Sequence, residues 1–253
     1  MIELKRNIKL TIAYDGSKYR GWQRLKNTDN TIQGKIEQCL SKYFDTDISI
    51  IGSSRTDAGA HALDQVANFH VDTDIELDCL HRDLNRYLPE DIIIVTVEDV
   101  QERFHSRFWS DKKTYLYRIH TNPIIPPLFE RHYVFNLGKE LNLDKMNEAI
   151  PLFIGKKEFQ GFSKRKVKKN TVRTIENIKI EQEGDQILIY LTADGFLYNM
   201  VRIIVGTLIE IGLGDRNKDT IKHIFETESR EQAGFTAPAE GLVLYKNHFE
   251  EKK

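Results

Sequence analysis

The chain has 253 residues, of which 40% are hydrophobic and 30% charged, and its formal net charge is −1. This composition is typical of a globular protein with one large core or two smaller ones, and it excludes fibrous and disordered chains. No apolar run approaches the roughly 20 residues that cross a bilayer, and the charged residues 1–9 lack the apolar segment of a secretory signal. Cys39 and Cys79 have no metal-ligand spacing, so we expect a protein of the reducing cytoplasm, with a single disulfide as the alternative.

The first half of the chain predicts a β-α-β-β-α-β order, which is the ferredoxin-like pattern. The helices are expected from apolar residues at helical spacing, with Asn30 or Thr31 as an N-cap of the first and Pro89 stopping the second. In chain order, the predicted elements are a strand at 8–14, a helix at 31–44, strands at 48–52 and 65–71, a helix at 77–87 and a strand at 92–97.

The second half repeats this order after an irregular, charged segment at 100–112, which we interpret as the linker. A Glu-Gly-Asp turn at 183–185 predicts a hairpin. The predicted elements are a strand at 114–119, a helix at 143–153, strands at 174–181 and 186–192, helices at 198–211 and 218–226, and a strand at 242–245. We therefore predict an α+β protein of two tandem ferredoxin-like halves, 1–105 and 106–253, forming a mixed sheet with a central active-site cleft.

Two stretches are locally basic although the whole chain is close to neutral. One is 18–26, with Lys18, Arg20 and Arg24, and it is interleaved with aromatic side chains that favour contact with bases or sugars. The other lies at 164–169, and its cationic residues are Lys164, Arg165, Lys166, Lys168 and Lys169. Such segregation suits binding of RNA phosphates, although solvated loops would have the same composition.

The segment 52–62 combines small residues with one Arg, one Asp and one His. Small residues allow a backbone to approach a planar ligand closely. Arg55 and Asp57 are two apart, so in an extended segment they face one side and are able to pair, which keeps a carboxylate ionised and oriented. The alternative is a capped turn in which Asp57 bonds backbone amides.

Residues 55–62, Arg-Thr-Asp-Ala-Gly-Ala-His-Ala, resemble the signature loop of the TruA family of pseudouridine synthases. Ser54 and Ala60 depart from the family's usual Gly and Val, and because both are small they affect the loop geometry and not the carboxylate. The resemblance continues in order from about residue 8 to residue 245, in Tyr14-Asp15-Gly16 with Tyr19, Gly21-Trp22-Gln23, Thr31-Ile32-Gln33, Leu88-Pro89-Glu90-Asp91-Ile92, Phe104-His105-Ser106-Arg107-Phe108, Lys113-Thr114-Tyr115-Leu116-Tyr117, Phe159 to Phe162, Arg173-Thr174-Ile175, Asn199-Met200-Val201-Arg202 with Gly206, and Ala239-Glu240-Gly241-Leu242.

The resemblance implies four catalytic residues. Asp57 would be the essential carboxylate, attacking the uracil ring or the sugar, or stabilising charge while the glycosidic bond breaks. Tyr115 would stack on the target uracil, Arg55 would hold Asp57 and keep the flipped base out of its stack, and Arg202 would orient Asp57 or a phosphate. From the residues alone, an ordinary core or rim aromatic is the favoured interpretation of Tyr115, and Arg202 is equally a surface residue. We interpret His61 as a structural hydrogen bonder.

By the same resemblance, the chain would be a homodimeric isomerase that converts uridine to pseudouridine in the anticodon stem-loop of tRNA, at positions 38–40. No metal, ATP or NAD site is indicated by the spacing of His, Cys and Gly residues, and the isomerisation needs no cofactor. Two other functions are alternatives: a non-catalytic RNA-binding module, which would have no need of Asp57, and a nucleosidase, which would have no need of basic loops.

Overall fold

The computed structural model describes residues 6–166 and 170–249. These residues form two compact units. The first contains the described residues up to Asp111 together with those from Leu244 onward, and the second contains the described residues of Lys112–Val243.

The first unit has the ferredoxin-like order that the sequence predicts. Its strands are antiparallel and lie in the order fourth, first, third, second, which is the arrangement of a β-α-β-β-α-β sheet. The elements are β1 (Arg6–Tyr14), α1 (Ile32–Phe44), β2 (Ile51–Gly52), β3 (His61–Val71), α2 (Leu77–Tyr87), β4 (Ile92–Val100) and α3 (Ser106–Trp109).

Helix α1 begins where the capping pattern predicts. The Thr31 hydroxyl accepts a hydrogen bond from the Gly34 amide at 3.2 Å, which satisfies one of the amide donors that a helix start leaves open. Ile32, Ile36 and Leu40 share one face and are fully buried, so this face supplies part of the unit's core.

The predicted strand at 48–52 is confirmed only at its last two residues. The reason is that side chains of α1 take the backbone donors which a longer ladder would use. The Ile48 amide donates to the Ser41 hydroxyl at 2.9 Å, and the Ile50 amide donates to the Glu37 carboxylate at 3.0 Å.

The second unit repeats the pattern with additions. Its strands pair antiparallel in the order fifth, ninth, eighth, seventh, and the sixth pairs parallel with the fifth, so the sheet is mixed as predicted. The short sixth and seventh strands have no counterpart among the predicted elements. The elements are β5 (Ser110–His120), β6 (Phe135–Asn136), α4 (Leu143–Ala149), β7 (Gly155–Glu158), β8 (Val172–Glu183), β9 (Gln186–Ala193), α5 (Met200–Leu213), α6 (Thr220–Thr227) and β10 (Leu242–Phe249), which enters the first unit at Leu244.

Several predicted bounds differ from those of the structure, and three of these differences have a local cause. The segment 100–112 is not irregular throughout, because it contains α3 and the start of β5. Helix α4 ends early, and Pro151 lies in a short 3-10 turn that follows it. Helix α5 begins two residues late because Asn199 has a left-handed backbone with φ of 59°. Most of α5 is buried, so core packing accounts for its apolar composition.

Two expectations from composition have structural counterparts. Within the described ranges, no helix combines the length and the hydropathy needed to cross a membrane. Cys39 and Cys79 are both free thiols, so the alternative of a disulfide between them is not realised.

Candidate active site

Asp57 lies on the loop that joins β2 to β3. The Ala60 amide donates to the Asp57 carbonyl at 3.2 Å, and Gly59 has φ of 81°, so residues 57–60 form a turn of the type II class, which favours glycine at this position. Before the turn, Thr56 is buried while Arg55 is exposed and Asp57 is half-buried. The segment is therefore both a turn and a support that presents the carboxylate.

Tyr14 and Trp22, from motifs earlier in the chain, hold this loop in place through hydrogen bonds. The Tyr14 and Thr56 hydroxyls are hydrogen-bonded at 2.7 Å in the interior. The Trp22 amide donates to the Thr56 carbonyl at 3.2 Å, and the Trp22 ring stacks on Tyr14 with centroids 6.1 Å apart. A buried polar contact is costly to leave unmade, so these bonds hold Thr56, and through it Asp57, in one position.

Two glycines lie so close to the loop that a side chain does not fit. A Cβ on Gly16 would lie 1.8 Å from the Ala60 carbonyl oxygen. A Cβ on Gly21 would lie 2.7 Å from the Thr56 carbonyl oxygen, and Gly21 also has φ of 95°. The spacing of these glycines in the sequence therefore reflects backbone contact with the Asp57 loop.

His61 has the structural role that we predicted for it. Its ring is buried, and Nδ1 accepts a hydrogen bond from the Gly16 amide at 3.1 Å. The Asp15 carboxylate lies 3.2 Å from the same nitrogen. His61 therefore ties the start of β3 to the segment that follows β1.

The predicted ion pair between Arg55 and Asp57 is not made. Arg55 is exposed, and the described part of the chain provides its guanidinium with no hydrogen bond or ion pair. The contacts of Thr56 and the nearby glycines hold the backbone of the loop, so the position of that backbone does not depend on Arg55.

Tyr115 lies on β5 in the second unit, opposite Leu191 of β9. Its side chain is 7% exposed, and its ring meets the edge of Phe196 at 5.1 Å. Tyr117, two residues along, is fully buried and donates a hydrogen bond to the Pro238 carbonyl at 2.7 Å. Burial raises the pKa of the Tyr117 phenol, so this hydroxyl stays protonated and acts as a donor.

Arg202 is held in the first turn of α5. Its Nε donates to the Ala237 carbonyl at 2.6 Å, and the Ala237 amide donates back to the Arg202 carbonyl at 3.0 Å. Gly206, one turn later, faces the same segment, and a Cβ there would lie 1.9 Å from the Phe235 carbonyl oxygen. The alternative of an unconstrained surface arginine is therefore not realised.

The aromatic residues of the first basic stretch are not available to bases. Tyr19 is 6% exposed and Trp22 is 2% exposed, so the prediction that they contact bases or sugars was wrong. Tyr19 donates to the Asp91 carboxylate, and burial together with this bond raises the pKa of its phenol. Both rings serve the core because the motif that contains them packs against the loop of Asp57.

The cations of both basic stretches are exposed where the structure describes them, and Lys168 and Lys169 lie outside the described residues. Three of these cations have partners. Arg24 lies 3.0 Å from the Glu37 carboxylate, Lys18 lies 3.8 Å from the Asp91 carboxylate, and Arg165 covers the ring of Tyr198 at 4.3 Å. The remaining described cations among the predicted contacts are Arg20, Lys164 and Lys166.

The predicted site residues divide between the units. Arg55, Asp57 and the first basic stretch belong to the first unit, whereas Tyr115, Arg202 and the second basic stretch belong to the second. Within residues 6–166 and 170–249, no group of three or more His, Cys, Asp or Glu side chains is arranged to hold a metal ion. The sequence alone assigns no role to the motifs of Tyr14, Gly16 and Trp22. Their contacts in the structure show that all three support the Asp57 loop.

A family described as tRNA pseudouridine synthase matches residues 10–109 and 149–250 of the chain. "tRNA pseudouridine synthase A 2" of a Bacillus cereus strain is 47% identical over 243 residues, covering 94% of this chain and 97% of that protein. "tRNA pseudouridine synthase A" of a Bacillus species is 49% identical over 239 residues, covering 94% and 97%. A solved Cbf5-Nop10-Gar1 complex matches at 11% identity and a TM-score of 0.38, covering 95% of this chain and 59% of that one, a score too low to bear on function.

Proposed function

Because the chain belongs to the family of tRNA pseudouridine synthases, we propose that it isomerises uridine to pseudouridine in the anticodon stem-loop of tRNA, with Asp57 as the essential carboxylate. The observation that carries this proposal is the loop itself, whose carboxylate stands on a turn that Tyr14, Gly16 and Gly21 support from behind. The loop belongs to the first unit, which contains the proposed first domain, residues 1–105. The bacterial relatives and the free thiols are in line with a cytoplasmic reaction.

The reaction requires that the glycosidic bond of uridine break and that C5 of the same uracil return to C1′. A carboxylate beside C1′ suits the positive charge that develops there, or the direct attack that relieves it. As the bond from C1′ to N1 is exchanged for one to C5, C5 loses a proton and N1 gains one, so the reaction is an isomerisation and no redox or energy-coupling group is needed. A uracil in a stem must first leave its stack, which costs a few kcal/mol.

Three further side chains have proposed roles in holding the flipped nucleotide. Tyr115 stacks on the uracil, in line with a ring that Phe196 already orients. Arg202 supplies a fixed positive charge, since Ala237 restrains its guanidinium. Arg55 contacts the RNA strand from which the base has left, which its exposed guanidinium supports.

Release of tritium from tRNA that carries 5-tritiated uridine tests the central proposal, because C5 loses its hydrogen only if it becomes bonded to C1′. Native protein should release tritium, and Asp57→Asn should abolish the release while tRNA binding survives. Asp72→Asn, an exposed aspartate elsewhere in the first unit, is the matched control and should release at the native rate. Release by Asp57→Asn at the native rate would remove the carboxylate from the chemistry.

The exposed cations of the two basic stretches are proposed to bind tRNA phosphates. Replacing Lys164, Arg165 and Lys166 together by glutamine should weaken tRNA binding and lower the slope of log affinity against log salt by up to about 0.9 per lost phosphate contact. The same change in Lys18 and Arg20 tests the first stretch. A binding curve that shifts at no salt concentration would contradict this part of the proposal.

We also propose that the protein is a homodimer, and an apolar segment of the second unit supports this. Ile124, Ile125, Leu128 and Phe129 are between 64% and 86% exposed, an unusual density for a monomer surface. The Asn122 side chain accepts from the amides of both isoleucines at 2.9 Å, which fixes the backbone there.

Light scattering during gel filtration tests this. Native protein should have the mass of two chains, and the double substitution Ile124→Asp with Phe129→Asp should have the mass of one. Tyr87→Asp, at an exposed aromatic of the first unit, should remain dimeric. A native mass of one chain at every concentration would exclude the dimer.

A further inference from the structure

Residues 104–108, Phe-His-Ser-Arg-Phe, form a motif that the reaction described above does not use. They lie in the first unit, where α3 makes a single turn before β5. Within this motif Phe104 and Ser106 are buried, whereas Arg107 and Phe108 are exposed. The motif therefore has a buried side that anchors it and an exposed side with an aromatic ring and a cation.

The buried side is a hydrogen-bonded network of polar groups. The Ser106 amide donates to the Asn68 side-chain oxygen at 2.9 Å, and the Ser106 hydroxyl reaches both Asn68 and, at 2.7 Å, the Ile51 carbonyl. Asn68 in turn donates to Asn7 at 2.9 Å, and Asn7 donates to the Phe104 carbonyl at 2.9 Å. Asn7, Asn68 and Ser106 are essentially inaccessible to solvent, so this network holds the turn rigidly to the backbone that leads into the Asp57 loop.

The exposed side presents an aromatic pair. The His105 and Phe108 rings stack with centroids 4.2 Å apart and planes 28° apart, and Phe108 is 72% exposed. Phe108 does not serve the core, because Phe104 fills that position and packs against Trp109 at 5.3 Å. The ring is therefore held by an anchored backbone and has a face that is open to stacking.

The charges beside the pair indicate which ligand. Arg103 and Arg107 are both exposed, one on each side of His105 in sequence. The Arg103 guanidinium lies 5.8 Å from the Trp109 ring centroid. An exposed ring that follows two exposed arginines closely in the chain suits a nucleotide, whose base stacks while its phosphates meet arginine, better than it suits an apolar protein partner.

We propose that Phe108, backed by His105, is a stacking platform for an unpaired nucleobase of the RNA substrate, with Arg103 and Arg107 contacting the adjoining phosphates. The proposal rests on the proposed function, since it takes the substrate to be an RNA with an unpaired loop. An enzyme that flips a nucleotide disturbs the stack around it, and a rigid ring outside the chemistry replaces the lost stacking for a neighbouring base.

The test compares substitutions that separate stacking from simple apolar contact. In the full chain, Phe108→Ala and Phe108→Leu should each weaken binding of an anticodon stem-loop RNA by about tenfold, because leucine has bulk but no aromatic face. Phe108→Trp should bind at least as tightly as native protein. Tyr87→Ala, at another exposed aromatic of the first unit, should bind like native protein and controls for loss of surface area.

Two further measurements distinguish a stacking platform from a phosphate contact. Phe108→Ala should leave the salt slope of binding unchanged, whereas Arg107→Gln should lower it by about one phosphate contact. The fluorescence of Phe108→Trp should be quenched by the stem-loop RNA and much less by a blunt duplex without unpaired bases. A difference spectrum against a native sample with the same RNA isolates the new indole.

The outcomes distinguish this proposal from the proposed reaction. If native protein releases no tritium from tRNA but Phe108→Ala and Phe108→Leu lose RNA affinity, the reaction fails and the platform stands. If native protein releases tritium and Phe108→Leu binds RNA as tightly as native protein, the platform is overturned. A change from two chains to one in the mass of Phe108→Ala would also overturn it, because Phe108 would then belong to a protein interface.

Discussion

Replacing Gly16 by alanine places a methyl group where it overlaps the backbone of the loop that carries Asp57. The new Cβ would lie 1.8 Å from the Ala60 carbonyl oxygen and 2.7 Å from its carbon, so one of the two segments has to move by an ångström or more. Gly16 is not free to retreat, because its amide donates to His61 and its carbonyl accepts from Tyr19 at 3.0 Å. The displacement therefore falls on the turn of residues 57–60.

The expected loss of activity follows from the size of this displacement. A misplacement of about 1 Å in a reacting group costs on the order of 100-fold in rate. Overpacking of this kind destabilises by about 1–3 kcal/mol. In a chain of this length each kcal/mol lowers Tm by about 2–4 °C, so Gly16→Ala should remain folded at 25 °C and be almost inactive.

Single-turnover tritium release, measured with enzyme in excess over tRNA, reports the chemical step directly, and thermal unfolding reports stability. Gly184→Ala is the matched control, because Gly184 has φ of 58° in the β8–β9 turn and nothing within 4 Å of its Cβ position. Alanine at such a φ costs about 1–2 kcal/mol, so the control should lose stability and keep its rate. A native rate for Gly16→Ala would refute the inference that close backbone contact positions Asp57.

Three further predictions concern stability. Tyr117→Phe removes a buried donor from the Pro238 carbonyl and should destabilise by about 1–3 kcal/mol in urea unfolding, and an unchanged midpoint would contradict this. The Ser54 hydroxyl is buried, and the described residues provide it with no partner, so Ser54→Ala should raise Tm by about 2–4 °C; a lower Tm would show that the hydroxyl is bonded in solution. Burial raises the pKa of Asp64 above 3.8 despite the Asn247 amide that donates to it. The folded state therefore binds the proton more tightly than the unfolded state does, and the protein loses stability as pH rises through the folded pKa of Asp64. Asp64→Asn should remove that loss, so its unfolding free energy relative to native protein should increase between pH 4 and pH 7, and a constant difference would count against burial as the cause.

The sequence was sufficient for most of the elements, though not for α3, β6 and β7, and for recognising the loop of Asp57, because local signals determine both. Thr31 caps α1 through a contact three residues away, and apolar spacing predicts which side of that helix is buried. The loop of Asp57 is recognisable because its residue types follow one another directly. Signals of this kind can be read from the sequence alone.

Burial of aromatic residues was not predictable in the same way. Trp22 and Phe108 both stand among arginines in the sequence, yet the first is in the core and the second is in solvent. The difference arises from partners distant in the chain: Trp22 packs on Tyr14 and on Gly52, whose Cβ position lies 2.5 Å from the indole. Local composition contains no information about such partners, which is why the expectation that Tyr19 and Trp22 contact bases was wrong.

The glycines show how motifs that are separate in the sequence act on one loop. Gly16 and Gly21 belong to different motifs, and each touches a different carbonyl of the segment that holds Asp57. A side chain at either position would displace the loop, and neither position is strongly apolar or charged, so composition and periodicity pass over both. Both positions require glycine because no side-chain atom fits beside the loop, and only the three-dimensional contacts show this. The early motifs of the chain are therefore positioning elements of the same carboxylate, and activity should respond to them more sharply than stability does.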